Sequence, residues 1–245
     1  MTLALHSRDF EPFGLSHLVA LAVTILIGYG LCRLMRSDVA EKWKDRSRLI
    51  LAIVLFGSVL ADPLLAWWRY AYDPEMALKF IVGYSLPFYL CDVVAVILGV
   101  ALLQKNQRLA EIGYLWGIAG TLQGLITPTL YFDWTTPEYY AFFAQHGGVP
   151  VAAMVLVIGM GLKPEPGVFK RALFSSWAYM AIIYALNGML QTNYGFLNAK
   201  PSVSTLFDYM GPWPYYLITL QVIAFGLYAL LLLPFRGGDT RQISE

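Results

Sequence analysis

The sequence predicts an all-α membrane protein, a bundle of seven transmembrane helices with its N-terminus outside and its C-terminus in the cytoplasm. Three observations lead to this prediction: the composition, the number of long apolar stretches, and the distribution of basic residues between them. Of the 245 residues, 58% are hydrophobic and 13% are charged, whereas about 25% are charged in an average soluble domain. The composition therefore indicates one membrane domain over residues 1–245.

Seven apolar stretches each approach the ~20 residues that cross a bilayer as a helix. The first is too long for a signal peptide and lacks a basic segment before it, so we expect it to remain as a span. In chain order, the predicted spans are 16–34, 49–68, 83–103, 109–127, 140–162, 172–190 and 215–233.

Basic residues orient the spans, because cytoplasmic loops carry an excess of Lys and Arg. Thirteen of the seventeen lie at or beyond the ends of spans one, three, five and seven. They are Arg33, Arg36, Lys42, Lys44, Arg46, Arg48, Lys105, Arg108, Lys163, Lys170, Arg171, Arg236 and Arg241. The other side has Arg8, Arg69, Lys79 and Lys200. This asymmetry predicts the outside N-terminus.

The connection 191–214 is long for a bundle loop, and it mixes apolar residues with Gly and Pro. An exposed flexible loop is one interpretation. An extracytoplasmic cap loop, folded over the outer face, is favoured because five of its side chains favour burial: Tyr194, Phe196, Leu197, Leu206 and Phe207.

Several classes of function find no support in the sequence. No basic patch interleaved with aromatic residues suggests nucleic acid, and no internal repeat suggests an inverted-repeat transporter. Cys32 and Cys91 lie at opposite ends of different spans, so they predict neither a disulfide nor a four-ligand metal site. We expect no metal and no cofactor.

Polar residues inside the spans are the most informative feature, because such groups are costly in hydrocarbon unless they have partners. Six of them lie one to two turns from the outer ends of five predicted helices, roughly 6 to 12 Å below the outer surface of the hydrocarbon layer. They are Asp62, Cys91, Asp92, Gln123, His146 and Asn187. This common depth predicts a shared, water-accessible pocket.

Cys91 and His146 are the pair of residues whose side chains suit nucleophilic catalysis. A thiol in apolar surroundings needs a neighbouring base to become a nucleophile, and an imidazole is suited to that task. Asp62, Asp92 or Asn187 would then orient the ring. Simple packing is the alternative for Cys91, since cysteine is often buried. Pro87 and Pro150, each four residues from one member of the pair, predict interrupted helices beside it.

The remaining polar residues have more ordinary interpretations. Glu111 follows Arg108 by three residues and predicts an interfacial ion pair. His17 is either an interfacial residue or a member of the pocket rim, and His6 is a solvated tail residue. The glycines of span four form one smooth strip, which predicts close helix packing and would bring Gln123 near the pocket. They are Gly113, Gly117, Gly120 and Gly124.

Four strings carry a resemblance to a known family: LPFYLCDVV, GYLWGIAGTLQGLITP, FFAQHGG, and NYGFLNAKP with LFDYMGPWPYY. They resemble the YwaF-like family of bacterial integral membrane proteins, which is related to the eukaryotic transmembrane protein 164 acyltransferases. The resemblance implies seven helices in a bacterial plasma membrane and acyl transfer among phospholipids through a cysteine acyl-enzyme. Cys91 matches the family's LCD-type cysteine and His146 its FF-x-x-H histidine. The family often has LPLHLC, where this chain has Tyr89.

Two functional hypotheses follow, with a third held open. The first is a cysteine-dependent acyltransferase or lipid hydrolase acting on phospholipid esters, with Tyr89, Gln123 or Asn187 stabilising the oxyanion. The alternative is a polar-solute or proton-coupled transporter or binding protein that uses the same pocket; against it, the cytoplasmic half has no comparable polar lining beyond Glu111. A noncatalytic assembly partner is the third. The sequence does not specify the acyl chain, the acceptor or the oligomeric state.

Overall fold

A computed structural model of the chain describes residues 9–131, 133–201 and 205–236. His6, Arg8 and Arg241, which the sequence analysis assigned to a side of the membrane or to a solvated tail, lie outside these residues. The described residues form helices and loops and contain no β-strand. The helices are α1 (Leu15–Arg36), α2 (Glu41–Arg69), α3 (Pro74–Phe80), α4 (Leu90–Gln104), α5 (Gln107–Trp116), α6 (Leu122–Ile126), α7 (Pro137–Met154), α8 (Val168–Leu190) and α9 (Tyr215–Leu232).

Within these residues, five helices are long and apolar enough to cross a membrane, or six if the bent pair of α3 and α4 is one span. The five are α1, α2, α7 with the π-helical turn Val155–Gly159 that continues it, α8 and α9. The chain is thus an all-α, integral, multi-pass membrane protein. We call the end of the bundle at which residues 191–214 lie the cap end.

The third predicted span is not one continuous helix, and the interruption predicted at Pro87 is confirmed. Helix α3 continues as the π-helical turn Ile81–Ser85, the chain breaks, and α4 begins at Leu90 after a bend of 76°. Pro87 explains the break, since it has no N–H to donate and disfavours a helical backbone at the residue before it. Leu86 is accordingly extended, with ψ 147°. Because of the break, Cys91 lies in the first turn of α4 and not one to two turns inside a continuous helix.

Pro150 does not interrupt its helix, contrary to the prediction, because α7 runs through it. Helix α2 likewise runs through Pro63.

Helix α7 lies at the centre of the bundle, because one of its turns contacts four neighbouring helical segments. Gln145 bonds to α4, Gly147 lies under Thr24 of α1, Gly148 lies under Leu55 of α2, and Val149 packs on Gly117. A methyl group on Gly147 would come within 2.7 Å of the Thr24 hydroxyl. The two glycines therefore permit close helix packing, and both also line an apolar cavity of about 590 Å³ between α1, α2 and α7.

The predicted glycine strip on α5 and α6 is also confirmed as a packing surface. A methyl group added to any of its members would meet a side chain of α4 or α7 at 3.0 Å or less. Gly113 and Gly120 lie under Leu98 and Leu90 of α4, while Gly117 and Gly124 lie under Val149 and His146 of α7. Helices α4 and α7 therefore share one strip, with their side chains at successive levels.

A buried carboxylate ties the bundle together at the end opposite the cap. Glu111 is 0% exposed, and its oxygens bond to Arg171 at 2.5 Å, to the backbone N–H of Glu165 at 2.9 Å and to Gln107 at 3.1 Å. Arg108 is more distant, at 3.6 Å. The predicted ion pair is confirmed, but its closer cation comes from α8, a contact that helical spacing within one segment cannot reveal.

Two further arginines at this end bond to the carbonyl ends of helices. Arg48 donates to the carbonyl of Leu102 in α4, and Arg36 donates to the carbonyl of Ile158 in the turn that follows α7, both at 3.0 Å. The last carbonyls of a helix have no intrahelical donor, so these guanidinium groups supply one.

Candidate functional site

Cys91 occupies the second position of α4, two residues beyond the N-cap residue Tyr89. Its sulfur lies against the backbone N–H groups of Asp92 and of Cys91 itself. These groups and the helix dipole favour negative charge at the thiol. Burial and the nearby carboxylates of Asp92 and Asp62 oppose that charge more strongly, so the thiol needs a base to become a nucleophile.

The Asp92 carboxylate holds this first turn in place. Its Oδ2 accepts the backbone N–H of Tyr89 at 3.1 Å, and its Oδ1 accepts Nε2 of Gln145 at 2.7 Å. Asp92 therefore links the start of α4 to α7. Gln145 was not predicted, although an amide beside His146 in an otherwise apolar helix was a usable signal.

His146 is held as a neutral ring with one free nitrogen. Its Nδ1 lies 3.1 Å from the carbonyl oxygen of Phe142, and a carbonyl can only accept, so Nδ1 carries the proton. Nε2 is then an acceptor. It lies against Gly124, since a methyl group added to that glycine would be 2.8 Å from it. The ring stacks on Phe142 with centroids 4.0 Å apart. The imidazole is thus fixed and can accept a proton.

The helices that carry the two predicted reactive residues pack on the same glycine strip. Leu90, the neighbour of Cys91, lies on Gly120, and His146 lies on Gly124 one turn further along the strip. The two helices are also joined directly by the bond between Asp92 and Gln145. Cys91 and His146 therefore belong to adjacent helices, α4 and α7, that meet at this strip.

Asp62 belongs to the same region and lies open at its edge. It is exposed on α2, and its carboxylate interacts electrostatically with Cys91 and Asp92. Glu138, at the start of α7, is a further electrostatic neighbour of Asp62 and forms an ion pair with Arg69. The site thus includes an acidic edge at the cap end, to which only Asp62 and Asp92 were assigned from sequence.

Three residues that the sequence grouped with this pocket have other positions. Asn187 is 1% exposed and bonds to the N–H and carbonyl of Tyr194 and to the Thr192 hydroxyl, at 2.7 to 2.9 Å. Gln123 lies exposed on α6. His17 is fully buried, accepts the N–H of Phe13 and bonds to the carbonyl of Leu125, both at 2.9 Å. His17 therefore links α1 to α6, and Asn187 anchors the segment after α8.

That segment folds against the break before Cys91. Its 3₁₀ turn Tyr194–Phe196 carries a fully buried Tyr194. The hydroxyl of Tyr194 accepts the N–H of Leu86 at 3.1 Å and donates to the carbonyl of Val82 at 2.8 Å. Tyr179 of α8 donates to the carbonyl of Phe88 at 2.9 Å. Neither tyrosine was predicted to serve the site.

One buried hydroxyl near the strip has no hydrogen-bond partner in the described part of the chain. Thr121 is 4% exposed, and it shares a helix face with Gly117 and Gly124, four residues before it and three after. Thr24 and Ser176 instead donate to the carbonyl four residues earlier. Among the described residues, no group of three His, Cys, Asp or Glu side chains could hold a metal ion.

The TMEM164 family matches residues 12–232. Comparisons with curated proteins and with solved structures gave no match. The matched range contains all nine helices, the break at Pro87 and both Cys91 and His146. The predicted relation to transmembrane protein 164 is confirmed, while the narrower YwaF-like bacterial grouping stays a prediction. The chain belongs to the TMEM164 family.

Proposed function

We propose that this protein is a membrane-embedded, cysteine-dependent acyltransferase or lipid hydrolase that acts on phospholipid acyl esters. One observation carries the proposal: the thiol of Cys91 lies at the start of α4, where the N–H groups of Leu90 and Cys91 have no intrahelical acceptor, and the adjacent helix α7 carries His146 with its proton on Nδ1. A nucleophile, a base and donors for a developing negative charge are the parts that acyl transfer requires.

In the first step, Nε2 of His146 takes the thiol proton as the sulfur of Cys91 attacks the ester carbonyl. A carbon–sulfur bond forms, and the tetrahedral oxyanion collapses with cleavage of the carbon–oxygen ester bond. His146 returns the proton to the leaving oxygen, which departs as the hydroxyl of a lysophospholipid. A thioester on Cys91 remains.

In the second step, the hydroxyl of an acceptor lipid attacks the thioester. His146 takes the acceptor's proton and returns it to the sulfur as the carbon–sulfur bond breaks. The products are a newly acylated lipid and the free thiol. Water in the role of the acceptor makes the same chemistry a hydrolysis.

Backbone groups are better placed than the predicted side chains to stabilise the oxyanion. The amide of Asn187 is engaged with Tyr194, and Gln123 is exposed. The N–H groups of Leu90 and Cys91, in the first turn of α4, have no intrahelical acceptor. Tyr89 stands where the family histidine would, beside this turn, and the unpartnered Thr121 hydroxyl is a further donor available to a bound acyl group.

The acidic and amide groups would then orient the site. Asp92 fixes the first turn of α4 through Tyr89 and Gln145. Asp62 lies at the open edge, where a phospholipid headgroup would enter. A cationic amine in such a headgroup suits this acidic edge.

We also propose the complete topology. Six spans follow if α3 and α4 count as one. The remaining span, fourth in chain order, is the pair α5 and α6 with the π-helical turn Gly117–Thr121 that joins them. The side assignment follows the positive-inside rule: the N-terminus and the cap lie outside, and the C-terminus lies in the cytoplasm of a bacterial plasma membrane.

The mechanism is tested by trapping the thioester. The purified protein is incubated with phospholipid radiolabelled in its acyl chain, denatured, and treated with neutral hydroxylamine, which cleaves thioesters. We expect hydroxylamine-sensitive label on the wild type and on Cys32→Ser, and none on Cys91→Ala. His146→Ala should lower the labelling rate by about 100-fold or more, as loss of a general base does.

Label of equal intensity on the wild type and on Cys91→Ala would eliminate the mechanism. The competing transporter hypothesis predicts a different pattern. In proteoliposomes, solute uptake would survive Cys91→Ala and fail with Asp92→Asn.

A further inference from the structure

We infer that Tyr194 is a positioning residue for Cys91: its phenol bridges the broken span and holds the start of α4 in the geometry that the thiol needs. The inference rests on the proposed function, in which Cys91 is the nucleophile. It makes the cap a part of the reactive site as well as a cover over it.

The polar groups of the break give the first argument. Backbone N–H and C=O groups at membrane depth need partners, because no water replaces the lost helical bonds. Pro87 has no N–H, Phe88 donates to the carbonyl of Leu86 at 2.7 Å, and Tyr89 donates to Asp92. The N–H of Leu86 is shared between the carbonyl of Ile81 and the hydroxyl of Tyr194, each at 3.1 Å. Tyr194 is the one partner in this set that comes from the cap.

The same hydroxyl also bonds within the α3 side of the break. It donates to the carbonyl of Val82 at 2.8 Å, in the π-helical turn that ends α3. The Tyr194 oxygen thus accepts from Leu86, the residue after the π-helical turn, and donates to Val82 inside that turn. Burial raises the pKa of Tyr194, so the phenol keeps the proton that the second bond requires.

Packing transmits this contact to Cys91. The Tyr194 ring meets Phe88 edge-on at 5.3 Å between centroids and meets Tyr89 at 5.0 Å. Tyr89 is the N-cap of α4, and Cys91 is two residues further on. A displacement of Tyr194 therefore reaches the first turn of α4 through two rings and one backbone segment.

Tyr194 is itself held tightly, so it can impose a position. Asn187 bonds to both its N–H and its carbonyl, at 2.7 and 2.9 Å. The next residue, Gly195, has φ +65°, and a methyl group there would lie 3.2 Å from the hydroxyl of Tyr179. The end of α8 thereby fixes the cap residue that fixes the start of α4.

The test removes one oxygen atom and measures the reactivity of two cysteines in the same molecule. Tyr194→Phe keeps the ring and loses both hydroxyl contacts. Tyr209→Phe, in the same cap and exposed, is the matched control. Each protein is treated with N-ethylmaleimide in detergent micelles, and the alkylation rates of Cys91 and Cys32 are read by mass spectrometry.

We expect the Cys91-to-Cys32 rate ratio to fall several-fold in Tyr194→Phe and to stay at the wild-type value in Tyr209→Phe. In the thioester assay, Tyr194→Phe should lower kcat with KM unchanged, because the lipid contacts are intact. Gly195→Ala keeps every hydroxyl but strains the turn, and it should lower the same ratio to a smaller extent.

A folded Tyr194→Phe with the wild-type ratio would overturn the inference. If that variant does not fold, a folded Gly195→Ala with the wild-type ratio overturns it instead. The alkylation assay needs no substrate, so the two proposals fail separately. A lowered ratio without any thioester on the wild type keeps the positioning role and rejects the acyl-enzyme.

Discussion

At the scale of single residues, the site depends on how little space surrounds His146. The ring is stacked on Phe142, bonded through Nδ1 and pressed against the backbone of Gly124. These three contacts leave Nε2 as the ring's one free polar atom. Gly124 is needed because the Cβ atom of any other residue would lie too close to Nε2, the nitrogen that would take a proton.

Gly124→Ala should therefore reduce both activity and stability. The added methyl group would lie 2.5 Å from Cδ2 of His146, and moving the ring would break its bond to Phe142. We expect thioester formation to slow by about 100-fold, the usual effect of a small misplacement, and unfolding free energy to fall by about 1–3 kcal/mol. Labelling kinetics and thermal unfolding in micelles measure the two effects.

Gly226→Ala is the matched control, since open space surrounds that position in α9. It should leave both quantities unchanged. Wild-type labelling kinetics in Gly124→Ala would show that the position of the imidazole is not critical.

At the scale of elements, the buried carboxylate of Glu111 joins α5, α8 and the loop between α7 and α8. Its two cations differ in geometry. Arg171 bonds at 2.5 Å, whereas Arg108 lies at 3.6 Å with more than half of its side chain exposed. A buried charge that loses its partner is far more costly than an exposed pair that is lost.

Arg171→Met should accordingly destabilise the bundle by about 3 kcal/mol, and Arg108→Met by less than about 1 kcal/mol. Both variants remove one positive charge from the same rim, so the difference between their unfolding free energies measures the effect of burying the ion pair. Thermal unfolding in micelles at one ionic strength compares them. Equal losses of stability in the two variants would contradict the buried network as described.

The sequence predicted the elements better than it predicted their ends. Six of the seven predicted spans coincide with continuous helical segments, because hydropathy over ~20 residues reports on the bilayer. The exception is the third, where the break at Pro87 is too short to lower the hydropathy of the stretch. Cys91 and His146 were identified because thiol and imidazole are rare in spans. Tyr194 and Gln145 were missed, since their roles depend on contacts between segments far apart in the chain.

At the scale of the whole molecule, the distribution of charge predicts which end faces the cytoplasm. In a variant without cysteines, Asp38→Cys reports on the loop between α1 and α2, and Tyr209→Cys reports on the cap; both positions are exposed. We expect a membrane-impermeant maleimide to label Tyr209→Cys in intact cells, and to label Asp38→Cys only after permeabilisation, because the positive-inside rule places the basic loop within. The reverse pattern would invert the topology.

Not all of the arginines at the rim opposite the cap are available to bind lipid headgroups. Arg36 and Arg48 donate hydrogen bonds to the carbonyl ends of two helical segments. Arg48 is also buried and forms an ion pair with Asp45, whereas Arg36 is exposed. A count of basic residues therefore overstates the charge that this rim presents to anionic lipids, and replacing Arg48 should loosen the end of α4 with little effect on lipid binding.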